Sequence, residues 1–299
     1  MTRWSTSNEP ISGREPMTNN PTGIKDWIYK RISLGYIVGT EVDDAVKACQ
    51  KIAPMGWSST ICPWNYNGEK PETVAESYKT AAREIIGNKL NCYLSIKAPA
   101  FEFREDLLQE IIEIARPANL RIHFDAQNPE SEDNNLALFE RTLKNYAHIS
   151  YTLPARWQRS AEDAKRINEW GVAVRIVKGE WADPQQPHKN PQDGFLCIAE
   201  ILSGKASHVA VATHNFKLAQ TVIGLLQSSG TSCELEQLYG LPTKTVSIAQ
   251  QAKIPVRFYI PYGRACLPYG LAMMRKKPVM AWWVMRDLFV ADRFRISTK

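Results

Sequence analysis

Eight short runs rich in β-branched and aromatic residues recur along this chain about 25 to 35 residues apart, with longer helical patterns between them. The runs are 57–62 (WSSTIC), 91–97 (NCYLSIK), 120–125 (LRIHFD), 148–153 (HISYTL), 172–177 (VAVRIV), 208–212 (HVAVA), 231–237 (TSCELEQ) and 256–260 (VRFYI). The intervening segments carry apolar residues at spacings of three and four. In 103–115, Leu107, Leu108, Ile111, Ile112, Ile114 and Ala115 line one face; Leu136, Leu138, Phe139 and Leu143 form a second; 161–170, 195–202, 217–226 and 243–251 follow the same rule. Ser160, three residues before Asp163, is close to a capping box, and Gly171 and Gly230 stand where helices should stop. Strands that alternate with helices pair in parallel through crossovers. Eight such units close most simply as an α/β (β/α)8 TIM-like barrel. An open doubly wound sheet is the rival, but no GxGxxG follows the first strand. Segments before the first strand and after the eighth predict extra N- and C-terminal helices.

Length and charge narrow the class further. At 299 residues the chain can bury a large core without staples. Residues 1–30 read as a flexible leader, because the first 22 are rich in Ser, Thr, Asn and Pro and lack an apolar signal-peptide core. Residues 31–299 read as one domain. Lys+Arg 37 against Asp+Glu 31 is a mild excess, and the densest basic run, Arg275-Lys276-Lys277, reads as a solvated helix end, so no nucleic-acid partner is expected. The six cysteines are scattered with no CxxC pair, which predicts free thiols in a reducing compartment. No apolar run approaches the roughly 18 residues needed to span a bilayer, and a cytoplasmic location is expected. Trp282-Trp283 with Met285, Leu288 and Phe289 either packs on the barrel or touches a membrane peripherally.

In such barrels the chemistry collects at the C-terminal ends of the strands. Lys97 ends the second run and Asp125 the third. Arg175 lies inside the fifth, followed by Lys178-Gly179-Glu180-Trp181. Thr213-His214-Asn215 closes the sixth, and Tyr259 lies near the end of the eighth. Glu234 and Glu236 share one face of the seventh, because strand side chains alternate. A buried, unpaired guanidinium is costly, so Arg175 needs a carboxylate or a ligand. Two readings stay open: an internal network in which Glu234 and Glu236 supply the pairs, and a site for a large anionic ligand. Lys178, His214 and the helix start after Asn215 suit phosphate oxygens, and Gly179 allows close backbone approach.

At these residues the sequence resembles the proline dehydrogenase family, flavoenzymes on a distorted β/α barrel. The segments that carry the resemblance are LSIKAPA at 94–100, HFDAQ at 123–127, VRIVKGEWAD at 174–183, ATHN at 212–215, CELEQLYG at 233–240 and VRFYIPYG...LPYG at 256–270. The resemblance implies noncovalent FAD, with Arg175 beside flavin N5 and Lys178, Gly179, Trp181, Thr213, His214, Asn215 and Glu234 as cofactor contacts, Glu234 at the adenosine end. It implies Lys97, Asp125, Arg175 and Tyr259 as the catalytic set. Lys97, Asp125, Glu180, Leu238, Tyr259, Ala272 and Met273 would border the substrate. The implied reaction oxidises a C–N bond to an imine by hydride transfer to flavin N5. The implied partners are a small amine or amino acid derivative and an acceptor such as a quinone.

The sequence departs from the family where substrate would sit. The family binds the substrate carboxylate with two consecutive arginines in a pattern like PYxxRRLxER; this chain has Ala272 and Met273 at those positions and Lys276 at the acidic one. Glu180 replaces a small residue, Trp181-Ala182 an aromatic pair, Pro154 a glutamine and Gln127 an acidic residue. Loss of a bidentate clamp is not conservative. A substrate without a free carboxylate, or with it elsewhere, fits these changes, including a modified or carrier-tethered proline or another cyclic amine. L-Proline itself is the alternative, with Lys97, Arg264 or Arg275 taking the carboxylate. A flavin-binding protein that has lost catalysis is a third reading. Glu180 is either an ammonium partner or an ion-pair partner of Lys97 or Arg264. His123 and Asp125 alternate on one strand, but no further histidine completes a metal set, and no metal is expected.

Overall fold

A computed structural model describes residues 38–66, 68–241 and 243–265. Helix α1 (Val42–Ile52) precedes the first strand. The repeating units are β1 (Ser58–Pro63) with α2 (Pro71–Gly87), β2 (Cys92–Ile96) with α3 (Glu105–Ala115), β3 (Ile122–Phe124) with α4 (Glu132–Asn145), and β4 (Ile149–Pro154) with α5 (Ser160–Trp170). They continue as β5 (Ala173–Val177) with α6 (Pro191–Leu202), β6 (His208–Ala212) with α7 (Phe216–Ser228), and β7 (Cys233–Leu238) with α8 (Val246–Ala252), and end on β8 (Val256–Tyr262). All neighbours pair in parallel and β8 returns to β1, giving the closed barrel β1-β2-β3-β4-β5-β6-β7-β8. The open-sheet rival is thereby removed. The leader, Cys266, Ala272, Met273 and the expected C-terminal helices lie outside the described residues.

The two faces of the barrel wall differ in chemistry. Its outer face is apolar: Ile61, Leu94, Ile122, Val174, Val209 and Ile260 are all buried under the helices. Its inner face is polar, which is unusual, since such interiors are dominated by bulky branched residues. Registered neighbours share a face, and the register joins Ser95, His123, Ser150 and Ala173 in one row and Thr152, Arg175, Ala210 and Glu234 in the next. Burial favours pairing among such groups, and His123, Ser150, Thr152 and Arg175 do pair, although the Ser95 hydroxyl has no hydrogen-bond partner.

Local signals account for most helix ends. Gly171 caps α5 with φ 64, and Gly230 has φ 74 just beyond α7, as their positions predict. Ser160 corrects the reading made of it. The N-cap of α5 is Arg159; Ser160 is the first helical residue, and its hydroxyl donates to the Pro154 carbonyl at 2.6 Å. That bond ties the start of α5 to the end of β4, beside the mouth of the barrel.

Candidate active site

The C-terminal ends of the strands surround a cavity of about 870 Å³, at the upper end of the range for small-molecule and cofactor sites. Lys97, Asp125, Arg175, Gly179, Glu180 and Trp181 line it, as do His214, Leu238 and Tyr259. Lys178, Thr213, Asn215 and Glu234, also expected at the site, are not among its lining residues. Thr213 and Asn215 instead shape the turn into α7. The Thr213 hydroxyl accepts from the Asn215 backbone N–H at 3.1 Å, and the Asn215 side chain caps α7 by accepting from the Leu218 N–H at 3.1 Å.

Arg175 forms the floor. Its Nη2 lies 2.8 Å from Asp125 Oδ1 and its Nη1 2.9 Å from Glu236 Oε1, while Nε and Nη2 donate to the Thr152 hydroxyl at 3.2 and 3.0 Å. The guanidinium carbon sits 4.9 Å from the Tyr259 ring centroid. Burial works against the guanidinium charge, but Glu236 and Asp125 outweigh it and hold the pKa above its ordinary value. Burial pushes the Glu236 carboxyl up, and Arg175 opposes that push. Tyr259 donates to Asp125 Oδ2 at 2.9 Å; burial and then the Asp125 charge raise its pKa well above the phenol value, so it stays a donor. Both open readings of Arg175 therefore meet here: it belongs to an internal ion network and also faces the cavity. The network is the floor of that space and leaves the volume above it open.

Glu234 is corrected in place. It shares the inner face with Glu236, as alternation predicts, but it lies deeper, paired to Arg257 Nε at 2.7 Å with His208 Nε2 3.6 Å away. The adenosine-end role assigned to it does not match that position. The ion-pair alternative for Glu180 also finds no support: among the described residues its carboxylate makes no ion pair with Lys97 or Arg264, and its side chain is exposed on the cavity rim. His123 has both ring nitrogens engaged by hydroxyls, Nδ1 by Ser150 at 2.7 Å and Nε2 by Thr152 at 2.6 Å.

Two contributors went unread in the sequence. Trp64 follows β1 directly, so the strand-end rule that flagged Lys97 applied to it equally. Lys97 Nζ lies 4.1 Å from its ring centroid, and its indole N–H donates to the Tyr259 oxygen at 3.5 Å. Thr152, mid-strand and neutral, gave no signal of its own.

The residues present fit an isoalloxazine dinucleotide. Trp181, 56% exposed, offers a flat ring at the rim. His214 Nε2 accepts from the Leu238 backbone N–H at 3.1 Å, which fixes that nitrogen as an acceptor and the ring beside the cavity. Gly179 has φ +83, and a Cβ there would come within 2.9 Å of Pro154 Cβ, so this backbone passes where no side chain fits. Gly179→Ala is expected to lower the FAD content of the purified protein, since a left-handed L-residue costs about 1–2 kcal/mol before the Pro154 contact is counted. Absorbance at the flavin band per mole of protein checks this, and wild-type content would count against a cofactor role for this turn.

A parallel barrel with a charged floor and a large cavity of mixed polar and apolar lining at its strand ends is the architecture of a cofactor-dependent barrel enzyme. The sequence matches the family described as proline dehydrogenase over residues 65–271, and the chain belongs to that family. It is an FAD-dependent oxidoreductase of the type that acts on CH–NH groups. It is 24% identical to proline dehydrogenase 1 of Bacillus subtilis (strain 168) over 275 residues, covering 85% of this chain and 89% of that one. It is 22% identical to proline dehydrogenase of Deinococcus radiodurans over 276 residues, covering 85% and 88%. The fold is similar to that of proline utilization A from Bdellovibrio bacteriovorus inactivated by N-propargylglycine, with TM-score 0.71, 14% identity and 86% of this chain covered. This chain spans about a third (32%) of that larger protein. Among the described residues, no helix is long and apolar enough to cross a membrane.

Proposed function

We propose that this protein oxidises the C–N bond of a small cyclic amine or proline derivative, one whose carboxylate is absent or masked, to the imine. The observation that carries the reading is the use made of Arg175. Four of its five N–H donors are directed to Asp125, Glu236 and Thr152, which leaves one Nη1–H and no paired fork to clamp a substrate carboxylate. Among the described lining residues Lys97 is the other Lys or Arg, and its ammonium rests on Trp64. The sequence has Ala272 and Met273 where the family resemblance places an arginine pair. The exposed Glu180 carboxylate suits a substrate ammonium group in their stead.

FAD, when bound, would supply the acceptor for a hydride from the carbon next to nitrogen. The chain's own residues set the stage for that transfer. Arg175 holds a positive charge at the cavity floor, which favours charge building up on an acceptor beside it. Asp125 and Glu236 keep that charge in place, and Tyr259, held protonated, fixes the second Asp125 oxygen. Turnover would then need an electron acceptor such as a quinone.

L-Proline is the second reading, favoured by Lys97 in the cavity and by the names of the relatives. Nothing in the site argues for a carrier-tethered substrate. Anaerobic bleaching of the bound flavin separates the readings, with proline, proline methyl ester, prolinamide and pyrrolidine as the panel. The ester, amide or pyrrolidine is expected to bleach it faster than proline does. Efficient turnover of submillimolar L-proline would establish the second reading instead. Yellow protein that no amine bleaches would mark a catalytically silent flavoprotein.

A further inference from the structure

We infer that His123, buried beneath the cavity floor, is a positioning residue for Arg175, acting through the Thr152 hydroxyl as a neutral imidazole protonated on Nδ1. The inference deepens the proposed function and rests on it only for the catalytic consequence.

The argument is a count of donors and acceptors. A threonine hydroxyl has one hydrogen and two lone pairs. Arg175 Nε and Nη2 both donate to Thr152 Oγ1, at 3.2 and 3.0 Å, and fill the lone pairs. The hydroxyl hydrogen then has two places to go: His123 Nε2 at 2.6 Å or Asp125 Oδ1 at 3.4 Å. The short contact wins, so Nε2 is an acceptor. The ring proton therefore sits on Nδ1 and donates to Ser150 Oγ at 2.7 Å. A protonated imidazole would put a third donor on Thr152 and turn its hydrogen towards the weaker contact. The surroundings also exclude the cation. Burial, then the charges of Arg175, Arg121 and Arg257, pull the His123 pKa well below its ordinary value, while Glu234 and Glu236 are claimed by Arg257 and Arg175. The outcome is a one-way chain, Arg175 to Thr152 to His123 to Ser150. It leaves Thr152 purely an acceptor towards the guanidinium and fixes that group's plane.

Long-range 15N spectra of the protein labelled at histidine, with His123→Gln used for assignment, test the state of the ring directly and need no flavin. The expected result is a neutral Nδ1–H tautomer that does not titrate between about pH 8 and pH 5. An imidazolium at pH 6, or a proton on Nε2, would overturn the inference whatever the protein oxidises. In the loaded enzyme, His123→Leu should lower kcat about tenfold with KM within about twofold. His123→Gln, whose amide oxygen can accept from Thr152, should recover to within about threefold of wild type. Equal loss in both variants would show that His123 only fills space.

Discussion

Replacing Arg175 with methionine is expected to lower the unfolding free energy of the barrel by about 3–5 kcal/mol, the usual cost of breaking a buried ion network by removing one partner. The side chains of Arg175 and Glu236 are each 5% exposed and that of Asp125 13%. Without the guanidinium, two carboxylates are left uncompensated at the cavity floor. Glu236 already stands above the ordinary carboxylate range through burial, and the loss of Arg175 removes the charge that opposes this. It should take up a proton, so the destabilisation should be smaller in acid and grow as pH rises to neutrality. Urea unfolding of wild type and variant at two pH values measures it. Adding Glu236→Gln to Arg175→Met should recover part of the loss, because one of the two uncompensated charges is gone. An unchanged midpoint in the single variant would mean that the network carries no net stability. Flavin bleaching should be abolished in either variant, since the charge at the cavity floor is gone.

How much of this was legible depended on the kind of signal. Strand order and position were plain, because strands buried on one face by helices read as short apolar runs with regular spacing; β6 at 208–212 coincides with its run. Helix α2 drew no separate notice, since half of its buried face, Val74, Ala75, Tyr78, Ala81, Ala82 and Ile85, is alanine and gives little hydrophobic contrast. An arginine inside an apolar strand announced its need for a carboxylate. Glu236 was among the candidates; that Asp125 also answers was hidden, because the stagger of a closed barrel decides which strands meet at one height. Asp125, at the end of β3, and Glu236, on β7, stand four strands apart on opposite sides of the ring, and only closure brings both to Arg175 on β5. Glu234 shows the other limit. Alternation tells the face but not the depth, and two residues along a strand are about 7 Å, enough to move a carboxylate from the cavity floor to the lower ion pair. Thr152 and His123 were unreadable as a unit, since a hydroxyl's role is set by the atoms that converge on it.

Glu132→Gln is expected to stabilise the protein in alkaline solution while leaving it nearly unchanged in acid. Glu132 is 1% exposed at the start of α4, and burial lifts its carboxyl to about 8. The Tyr151 hydroxyl donates to Oε1 at 2.6 Å, and Asn135 Nδ2 donates in turn to that hydroxyl at 3.0 Å. Oε2 and Asn135 Oδ1 are buried without a hydrogen-bond partner, an arrangement that a proton on the carboxyl relieves. The Asp163 charge adds to the upward push, and Arg159, paired to Asp163 and Asp133, offsets only part of it. The sign follows from proton counting. Between about 4.5 and about 8 the folded chain holds a proton here that the unfolded chain has released, so stability falls as pH rises through that window and levels off above it. The full shift from 4.5 to about 8 sets a ceiling of about 5 kcal/mol on the loss. Glutamine keeps the acceptor for Tyr151 and supplies an N–H without titrating, so the variant should hold its stability across the same window. The residual slope should come from Asp163 and Glu236, which burial also raises. Unfolding midpoints of both proteins at about pH 5 and about pH 9 decide the matter. Parallel curves would mean that Glu132 is ionised in the folded state, and that Oε2 and Asn135 Oδ1 are met by something other than a proton.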